Sequence, residues 1–364
     1  MSTVATYDVA VAGAGPAGAV AAGLLARAGL SVLLCDPRLG LGAAPAKPGE
    51  ALPGAADRLL RACGLPPPGA SGRHASIGGN ISIWGSPDPI RRDFLNEPDG
   101  AGFRLDRAAF EAELVGAARS AGADVHAVRL VEAARDAGRW TLRSRDGATW
   151  RAAFLVDAGG RRAPLARRLG ARRRRDEPLV AVVGRACSHA EYHLNRTVVE
   201  TVPEGWWYAA LLPGGAPVFM LHTRPADAAR LVARPDEWRA ALAVTRHVAA
   251  AFPGAELAAP LGAHDAGGAW LDPVLGPGWV AVGDAALSFD PAAAQGMFSA
   301  LHAGMTVAHA IPAALGGNDV QLQAYAATLV EIRRLYRMRL RAHYAGEQRW
   351  PEAPFWRERA LAAA

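Results

Sequence analysis

The sequence predicts an α/β fold in which a Rossmann-like dinucleotide-binding domain carries an inserted antiparallel β-sheet substrate domain and C-terminal helices. Two glycine-containing motifs support the first part, GAGPAG at Gly13–Gly18 and GDAALSFDPAAAQG at Gly283–Gly296. Between residues 178 and 270, apolar or alternating stretches separated by Pro and Gly turns favour an antiparallel sheet. Because the two motifs lie almost the whole chain apart, the domain that joins them is predicted to be discontinuous.

The first motif lies at the turn of a predicted strand–helix unit. A buried strand is predicted at 7–11 and a helix rich in small residues at 16–28. In such a turn the first glycine allows the tight bend, the second lets a pyrophosphate approach the backbone, and the third lets the helix pack on the strand. The free N–H groups and the positive end of the helix dipole then face the anion. The residues predicted to bind a nucleotide here are Gly13, Gly15, Pro16, Ala17 and Gly18.

A carboxylate follows the next predicted strand. Leu30–Cys35 ends at Asp36, which lies 18 residues beyond Gly18 and suits a hydrogen bond to an adenosine ribose hydroxyl. Arg38, two residues further on, is included among the predicted cofactor contacts. The order of strand, turn, helix, strand and acid predicts a dinucleotide site rather than a glycine-rich turn without a ligand.

The second motif is predicted to hold the other end of the same cofactor. A strand at 280–282 leads into Gly283, and Asp284 follows where a carboxylate can accept hydrogen bonds from a polyol such as ribityl. A new helix is predicted to start at Asp290, with N–H groups that stabilise negative charge on a reduced flavin. Its predicted cofactor contacts are Pro291, Gln295, Gly296 and Met297. A nucleotide at one end and a flavin at the other predict FAD.

Length and composition fit an enzyme of two joined domains. At 364 residues the chain exceeds one ordinary core, and its 51% hydrophobic residues supply ample apolar surface. The cysteines, Cys35, Cys63 and Cys187, lack CxxC spacing, which argues against disulfides or zinc and for a reducing cytoplasm. The ten histidines form no ligand-spaced cluster, so no metal is predicted. No apolar run approaches the roughly 20 residues of a spanning helix, and the N-terminus is itself the first strand, so neither a membrane span nor a signal peptide is expected.

The basic charge does not indicate nucleic-acid binding. The net charge of +6 comes from 40 basic and 34 acidic residues and is mostly balanced. The one dense run, Arg172–Arg175, follows a predicted helix end at Leu169 and is predicted to be a solvated domain junction. No aromatic residues interleave with it, as a base-stacking surface requires. Of the 40 basic residues, only Lys47 is a lysine.

The remaining elements divide the chain into interleaved parts. Helices are predicted at 55–63 and 103–121, the second capped by Asp106, with short strands between them at 76–89. Further strands are predicted around 125–131, 139–143 and 154–156, and a helix at 235–251 interrupts the inserted sheet. The predicted domains are 1–75, 100–177 and 271–330 for the cofactor, 76–99 and 178–270 for the substrate, and 331–364 as a C-terminal helical segment.

These residues together resemble a known group of flavoproteins. GAGPAG, Asp36, the LDRAAF helix with Arg107, the DAGG turn with Asp157 and the second motif are similar to the p-hydroxybenzoate-hydroxylase-type monooxygenases and their relatives, the flavin-dependent tryptophan halogenases. The resemblance covers nearly the full chain and implies FAD contacts at Arg107 and Asp157. A halogenase-like branch is favoured by GEALP at Gly49–Pro53, WGS at Trp84–Ser86 and EGWWYAALLP at Glu204–Pro213. The C-terminal HYAGEQRWPEAPFW is similar to flavoproteins that mature the tryptophan-derived quinone cofactors of amine oxidases.

One departure from this pattern concerns halogen chemistry. Halogenases use an active-site lysine that lies some four residues before a tryptophan resembling Trp84, and this position is Asn80 here. Lys47 lies before Glu50 on the predicted flavin side and is not expected to replace that lysine. Halogenation is therefore disfavoured, and Asn80 and Trp84 are predicted to face the substrate.

A second departure concerns the supply of electrons. The Asp-Gly pair of the hydroxylases is Asp157-Ala158-Gly159 here, and no second GxGxxG unit follows a strand. Direct use of NADPH is therefore in doubt. Reducing equivalents are expected either from a transient encounter with NAD(P)H or from a separate flavin reductase, and the sequence leaves both open.

Four further residues are candidates for the active site. Trp206 and Trp207 are adjacent on a predicted strand, so their rings point to opposite faces, one towards the core and the other towards a substrate cavity. Glu50, near the flavin, and His222, at the end of a strand, are candidate catalytic residues. The alternative for Glu50 is a solvated loop carboxylate, and the alternative for His222 is a structural histidine.

The sequence thus predicts an FAD-dependent monooxygenase that hydroxylates an electron-rich aromatic. The resemblance favours an indole or tryptophan, either as a small molecule or within a peptide or protein. An FAD oxidase, dehydrogenase or reductase of the same fold is the alternative enzyme, and a flavin-binding scaffold is the non-catalytic one. No nucleic-acid partner is expected.

Overall fold

The computed structural model of the chain describes residues 4–40, 51–187, 192–258 and 261–361. Its strands are β1 Thr6–Ala12, β2 Val32–Cys35, β3 Ala51–Leu52, β4 Ala75–Ile77, β5 Gly79–Ile83, β6 Ile90–Asp93, β7 Gly102–Arg104, β8 Asp124–His126, β9 Leu130–Asp136, β10 Arg139–Ser144, β11 Thr149–Asp157, β12 Arg172–Arg175, β13 Val180–Cys187, β14 Arg196–Val202, β15 Gly205–Leu211, β16 Pro217–Thr223, β17 Glu256–Leu257, β18 Gly262–Asp265, β19 Ala269–Asp272, β20 Leu275–Gly276, β21 Trp279–Ala281 and β22 Leu287–Ser288. Its helices are α1 Pro16–Arg27, α2 Ala55–Ala62, α3 Arg107–Ser120, α4 Pro164–Arg168, α5 Pro225–Ala233, α6 Pro235–Ala243, α7 Val248–Ala251, α8 Gly296–Leu315, α9 Val320–Ala345 and α10 Pro354–Leu361.

The first sheet is built on a parallel core in the order β21-β11-β1-β2-β8. Its central strand β1 includes Val9, Ala10 and Val11, which are fully buried, as the apolar run predicts for a strand covered on both faces. The carboxyl ends of β1, β11 and β21 therefore lie side by side. One predicted strand is wrong, because residues 125–131 contribute to two strands, β8 and β9, that belong to different parts of this sheet.

Small residues let the helices pack closely on this sheet. A Cβ added at Gly23 of α1 would lie 3.3 Å from the Cα of Ala118 in α3, and one at Gly304 of α8 would overlap the backbone of Ala17. Helix α8 has the length and hydropathy of a membrane span, contrary to the sequence expectation, although half of its apolar window is buried inside the protein. Helix α8 packs between α1 and α9, as a buried core helix does.

The second large sheet has the order β17-β13-β16-β15-β14-β5-β6, with β18 paired to β13. Its neighbours are antiparallel, as predicted, except that β14 runs parallel to β5. Helices α5, α6 and α7 lie on one face, where Trp238 of α6 packs edge-on against Trp207. The sequence predicted one helix at 235–251, whereas the structure has two there, and it missed α5. We call this helix-covered side the outer face and the opposite side the inner face.

Two elements near the junction of the sheets were not predicted in full. The run Arg172–Arg175, predicted as a solvated domain junction, has three exposed arginines and also forms strand β12, which pairs with β19. Arg173 is partly buried. Its guanidinium donates to the Ser288 hydroxyl at 2.9 Å and so supports the second motif. The helix predicted from residue 103 begins at Arg107, since 102–104 form β7, but Asp106 caps it as predicted by accepting from the N–H of Ala109 at 3.1 Å.

Candidate cofactor and substrate site

Three glycine-containing turns meet at the carboxyl ends of β1, β11 and β21. A Cβ at Gly13, where φ is +110°, would overlap the carbonyl group of Ala158, and one at Gly18 would lie 2.8 Å from the Ala158 Cβ. A Cβ at Gly283 would lie 2.8 Å from the Cβ of Ala17. The two motifs, almost the whole chain apart in sequence, are therefore in direct contact, with the turn after β11 between β1 and β21.

The start of α1 is open where an anion is predicted to lie. Gly15 is the N-cap of α1, no side chain caps the helix, and a Cβ added at Gly15 meets no described atom within 4 Å. The tight contacts at Gly13 and Gly18 exclude a side chain at either position. Free N–H groups, a helix dipole and open space at one point fit the pyrophosphate of a dinucleotide.

The structure brings Asp36, Arg38 and Arg107 together in one charged group. Asp36 is 3% exposed and accepts hydrogen bonds from the N–H of Ala14 at 2.9 Å and from Nε of Arg38 at 3.0 Å. Burial alone would raise the pKa of Asp36, but the hydrogen bonds from Arg38 and Ala14 hold it below its usual value. The hydrogen bond to Asp36 is the main cause that raises the pKa of Arg38. The charge of Glu111, which pairs with Arg107 at 2.6 Å, raises the pKa of Arg38 further. The ribose contact of Asp36 stays a prediction.

Asp157 shapes the turn after β11 rather than facing a ligand. Its carboxylate is 1% exposed and accepts from the N–H groups of Gly159, Leu165 and Ala166 at 2.8, 2.9 and 2.8 Å. Both oxygens are therefore engaged by backbone donors. The cofactor contact predicted for Asp157 is corrected to an indirect one, in which the carboxylate fixes the turn that meets Gly13.

The second motif differs from its prediction at the helix start. Asp290 caps only a short turn, Pro291–Ala293, and Ala294 then has φ of +50°. Helix α8 begins at Gly296 with Gln295 as its N-cap, so the free N–H groups lie at Gly296 and Met297 rather than at Asp290. Asp284 lies in the turn Gly283–Ala285, where its half-exposed carboxylate is 3.6 Å from Nε of Arg161.

Asp290 is held by two tyrosines of α9 that the sequence analysis did not single out. The Tyr344 hydroxyl donates to its carboxylate at 3.0 Å, and the Asp290 N–H donates to the Tyr336 hydroxyl at 2.8 Å. Trp206 Nε1–H in turn donates to the Tyr344 hydroxyl at 3.1 Å. Burial raises the pKa of Asp290. The aromatic spacing along α9 is the only sequence signal for this clamp.

The inner face of the second sheet points towards the second motif. Trp206 on this face is 2% exposed and shares a core cluster with Leu287 and Phe289. Asn80 on β5 is half-buried on the same face and pairs with Thr197 of β14. Trp84, just beyond β5, packs against the C-terminal segment and donates its Nε1–H to the His343 carbonyl at 2.9 Å. The C-terminal segment thus closes this end of the face.

Three candidates are placed differently from their predictions, or not at all. Trp207 is fully buried on the outer face against Trp238, so it is a core residue and does not line an inner cavity. His222 stacks on Trp206 with ring centres 3.6 Å apart, and burial lowers its pKa to about 3. This neutral ring is a stacking partner rather than a proton donor. Glu50 lies outside the described residues.

Two cavities lie among the described residues, and Leu287 and Phe289 of the second motif line the first of them. One of about 620 Å³ lies between α8 and α9, behind the second motif, and includes Phe298 and Thr306. The other, of about 510 Å³, lies on the outer face and includes Glu200 and Trp207. Asn80 borders neither cavity, so cavity size does not support the predicted substrate position, which stays a prediction.

Comparison with known proteins decides the family. Residues 93–363 match the family described as tryptophan halogenase. The chain belongs to this family. This tryptophan halogenase family member is 28% identical to the putative FAD-dependent oxidoreductase LodB of Marinomonas mediterranea, over 97% of either chain.

Solved structures agree on the fold. The peptidyl tryptophan dihydroxylase QhpG, essential for tryptophylquinone cofactor biogenesis, is 25% identical with a TM-score of 0.76, covering 98% of this chain and 79% of that one. The myxobacterial chondrochloren halogenase CndH has a TM-score of 0.86 at 20% identity, covering 98% and 86% of the two chains, and shows the fold alone. The halogenase-like resemblance and the α/β fold with an inserted sheet are confirmed. FAD is the cofactor, and the open start of α1 beside the two touching motifs fits it.

Proposed function

We propose that this tryptophan halogenase family member is an FAD-dependent monooxygenase that hydroxylates an indole or tryptophan-like aromatic instead of halogenating it. The observation that carries the proposal is the residue at position 80. Asn80 stands where the resemblance expects the lysine that handles oxidised halogen, and the single lysine of the chain, Lys47, lies outside the described residues. An amide cannot supply the amine nucleophile or the positive charge of that lysine.

The similarity to QhpG supports hydroxylation and leaves the form of the substrate as a second question. That enzyme is a peptidyl tryptophan dihydroxylase, and its likeness spans 98% of this chain. The predicted similarity of residues 343–356 to flavoproteins that mature tryptophan-derived quinones points the same way. A tryptophan within a peptide or protein is therefore our first candidate substrate, ahead of a free indole.

The residues of the chain have holding and shielding roles in this proposal. The N–H groups at the start of α1 would hold the pyrophosphate, and those of Gly296 and Met297 would stabilise negative charge on the flavin ring. The C-terminal segment packs against Trp84 and Trp206 and so excludes water from one end of the inner face. FAD, once reduced, supplies the activation of dioxygen. The aromatic ring of the substrate is expected to lie between the inner face and the segment 290–297.

The test uses the purified full chain with FAD, a reducing system, labelled dioxygen and a tryptophan-containing peptide or indole. We expect incorporation of oxygen from dioxygen into the aromatic ring, detected by mass spectrometry, with no halogen incorporated when chloride or bromide is present. A product that has lost hydrogen without gaining oxygen would favour the oxidase or dehydrogenase alternative. A chlorinated or brominated indole would reject the proposal.

A further inference from the structure

A buried arginine on the inner face has no carboxylate partner among the described residues. Arg104, at the end of β7, is 3% exposed. One terminal nitrogen donates to the Thr197 hydroxyl at 2.8 Å and the other donates to the hydroxyl of Tyr208. By contrast, Arg349, which is also largely buried, pairs with the carboxylate of Glu347 at 2.6 Å. Arg104 is thus a positive charge held in the protein by two neutral hydroxyl groups.

Such an arrangement leaves part of the guanidinium unused. The group has five N–H donors in a planar fork, and the two hydroxyls engage one donor at each terminal nitrogen. A desolvated cation is costly unless an anion neutralises it, and the guanidinium fork matches a carboxylate in both charge and shape. The arrangement therefore calls for an anion from outside the described residues.

The side chains beside this group are only partly buried on the inner face of β5 and β14. On the outer face of the same strands, Ile83 and Val198 are at most 2% exposed. On the inner face, Asn80, Val199 and Tyr208 are only half-buried. The strand register sets Asn80 directly beside Thr197, one of the two residues that hold the guanidinium. The arginine therefore borders the space in which we placed the substrate.

We propose that Arg104 anchors a carboxylate of the aromatic substrate and so determines which indoles bind. The inference rests on the proposed function, since it concerns the same inner face. The carboxylate belongs either to a free indole acid or to an acidic side chain beside a tryptophan in a peptide, and the recognition chemistry is the same. The hydroxyls of Thr197 and Tyr208 fix the plane of the guanidinium for this contact.

The test is a binding measurement that needs no turnover. Equilibrium dialysis of the FAD-loaded full chain compares indole-3-propionate with indole-3-propionamide, and acetyl-Asp-Trp-amide with acetyl-Asn-Trp-amide. We expect the acid of at least one pair to bind about tenfold to a hundredfold more tightly than its amide, the range of a charge-assisted hydrogen bond. The pair that shows the preference identifies the source of the carboxylate. Failure of hydroxylation would not alter this result, because binding alone is measured.

Variants assign the preference to one residue. Arg104→Gln is expected to remove it, whereas Arg92→Gln, at an exposed arginine of β6, keeps it. Tyr208→Phe retains the ring and loses only the hydroxyl, and it is expected to reduce the preference for the acid over the amide. This second variant keeps the test decisive if Arg104→Gln does not fold. No preference in the parent protein for either pair, or an unchanged preference in Arg104→Gln, overturns the proposal. Equal weakening of acid and amide together with loss of FAD would instead assign Arg104 to the cofactor and also overturn it.

Discussion

The hydroxyl of Tyr344 donates a hydrogen bond of 3.0 Å to the buried carboxyl group of Asp290, which ties α9 to the segment that precedes α8. The same hydroxyl accepts the indole N–H of Trp206 from the inner face of the second sheet. Three parts of the fold, namely α9, the segment after the second motif and the second sheet, thus meet at one oxygen atom. The position of the segment 290–297 consequently depends on a helix that itself lies outside the cofactor motifs.

Replacing Tyr344 by Phe is expected to disturb the flavin environment as well as stability. The change leaves the Trp206 donor and the Asp290 carboxyl without this partner, at a cost of about 1–3 kcal/mol in unfolding free energy. Urea unfolding and the visible spectrum of bound FAD check this. Tyr325→Phe is the matched control, because that buried hydroxyl donates at 3.0 Å to the Ala281 carbonyl instead. A similar spectral change in both variants would contradict a specific role for Tyr344.

Gly15→Val is expected to abolish FAD binding while leaving the fold intact. Gly15 has φ of −69°, which valine tolerates, and the added Cβ meets no described protein atom within 4 Å. The side chain therefore occupies only the space that the pyrophosphate needs. Fluorescence titration with FAD, together with a thermal unfolding curve, measures both effects.

The control for this change is another glycine with open surroundings. Gly116→Val in α3 also meets no described atom within 4 Å, yet lies away from the turn. We expect this variant to bind FAD normally, with helix stability unchanged or raised by less than about 1 kcal/mol, because glycine has a lower helix propensity than valine. FAD binding by Gly15→Val equal to that of Gly116→Val would show that the pyrophosphate lies elsewhere.

The sequence predicted local features well because their signals are local. The bend at Gly13, the cap at Asp106 and the opposite faces of Trp206 and Trp207 follow from a few adjacent residues, and the structure has all three. The family resemblance likewise rested on short motifs with fixed spacing. In each of these patterns, the neighbouring residue types themselves determine the local geometry.

The errors came from partners far away in the chain. The strand at Arg172–Arg175 was missed because β19 supplies its hydrogen bonds, and no property of four arginines predicts that pairing. Asp157 was assigned to a ligand, but backbone donors up to nine residues later use its oxygens. The burial that makes His222 neutral comes from the stacked Trp206 and the packing around it. Single-sequence reasoning has no access to such long-range contacts.

Acid is expected to weaken the attachment of the C-terminal segment through Glu347. Burial alone would raise the pKa of this carboxylate, but hydrogen bonds from Arg349, Thr201 and the Gly85 N–H lower it from 4.5 to about 2. A depressed pKa stabilises the folded state above the unfolded value of 4.5, and that stability is lost as the pH falls towards about 2. Glu347→Gln should therefore lower the unfolding free energy at pH 7 by up to about 3 kcal/mol.

Urea unfolding at a series of pH values tests this sign. The difference between the parent protein and Glu347→Gln should shrink steadily below about pH 5. Glu352→Gln, at an exposed carboxylate of the same segment, is the control and should change stability by less than about 0.5 kcal/mol at every pH. A difference for Glu347→Gln that stays constant with pH would mean that its charge plays no part.

The turn that contains Ala158 bears on how the bound flavin receives its electrons. This residue replaces the glycine of the hydroxylases' Asp-Gly pair, its Cβ packs towards Gly18, and the sequence has no second GxGxxG unit. Hydride transfer requires the nicotinamide to be held roughly 3–3.5 Å from the flavin, which random encounters rarely achieve. We therefore expect slow reduction of bound FAD by NAD(P)H alone and a gain of at least about tenfold with an added flavin reductase.

Anaerobic stopped-flow absorbance measures both rates, with and without a tryptophan-containing peptide, since substrate binding accelerates reduction in hydroxylases of this fold. Fast reduction that saturates with NADPH in the presence of substrate would make this protein a self-sufficient hydroxylase and refute the two-component arrangement.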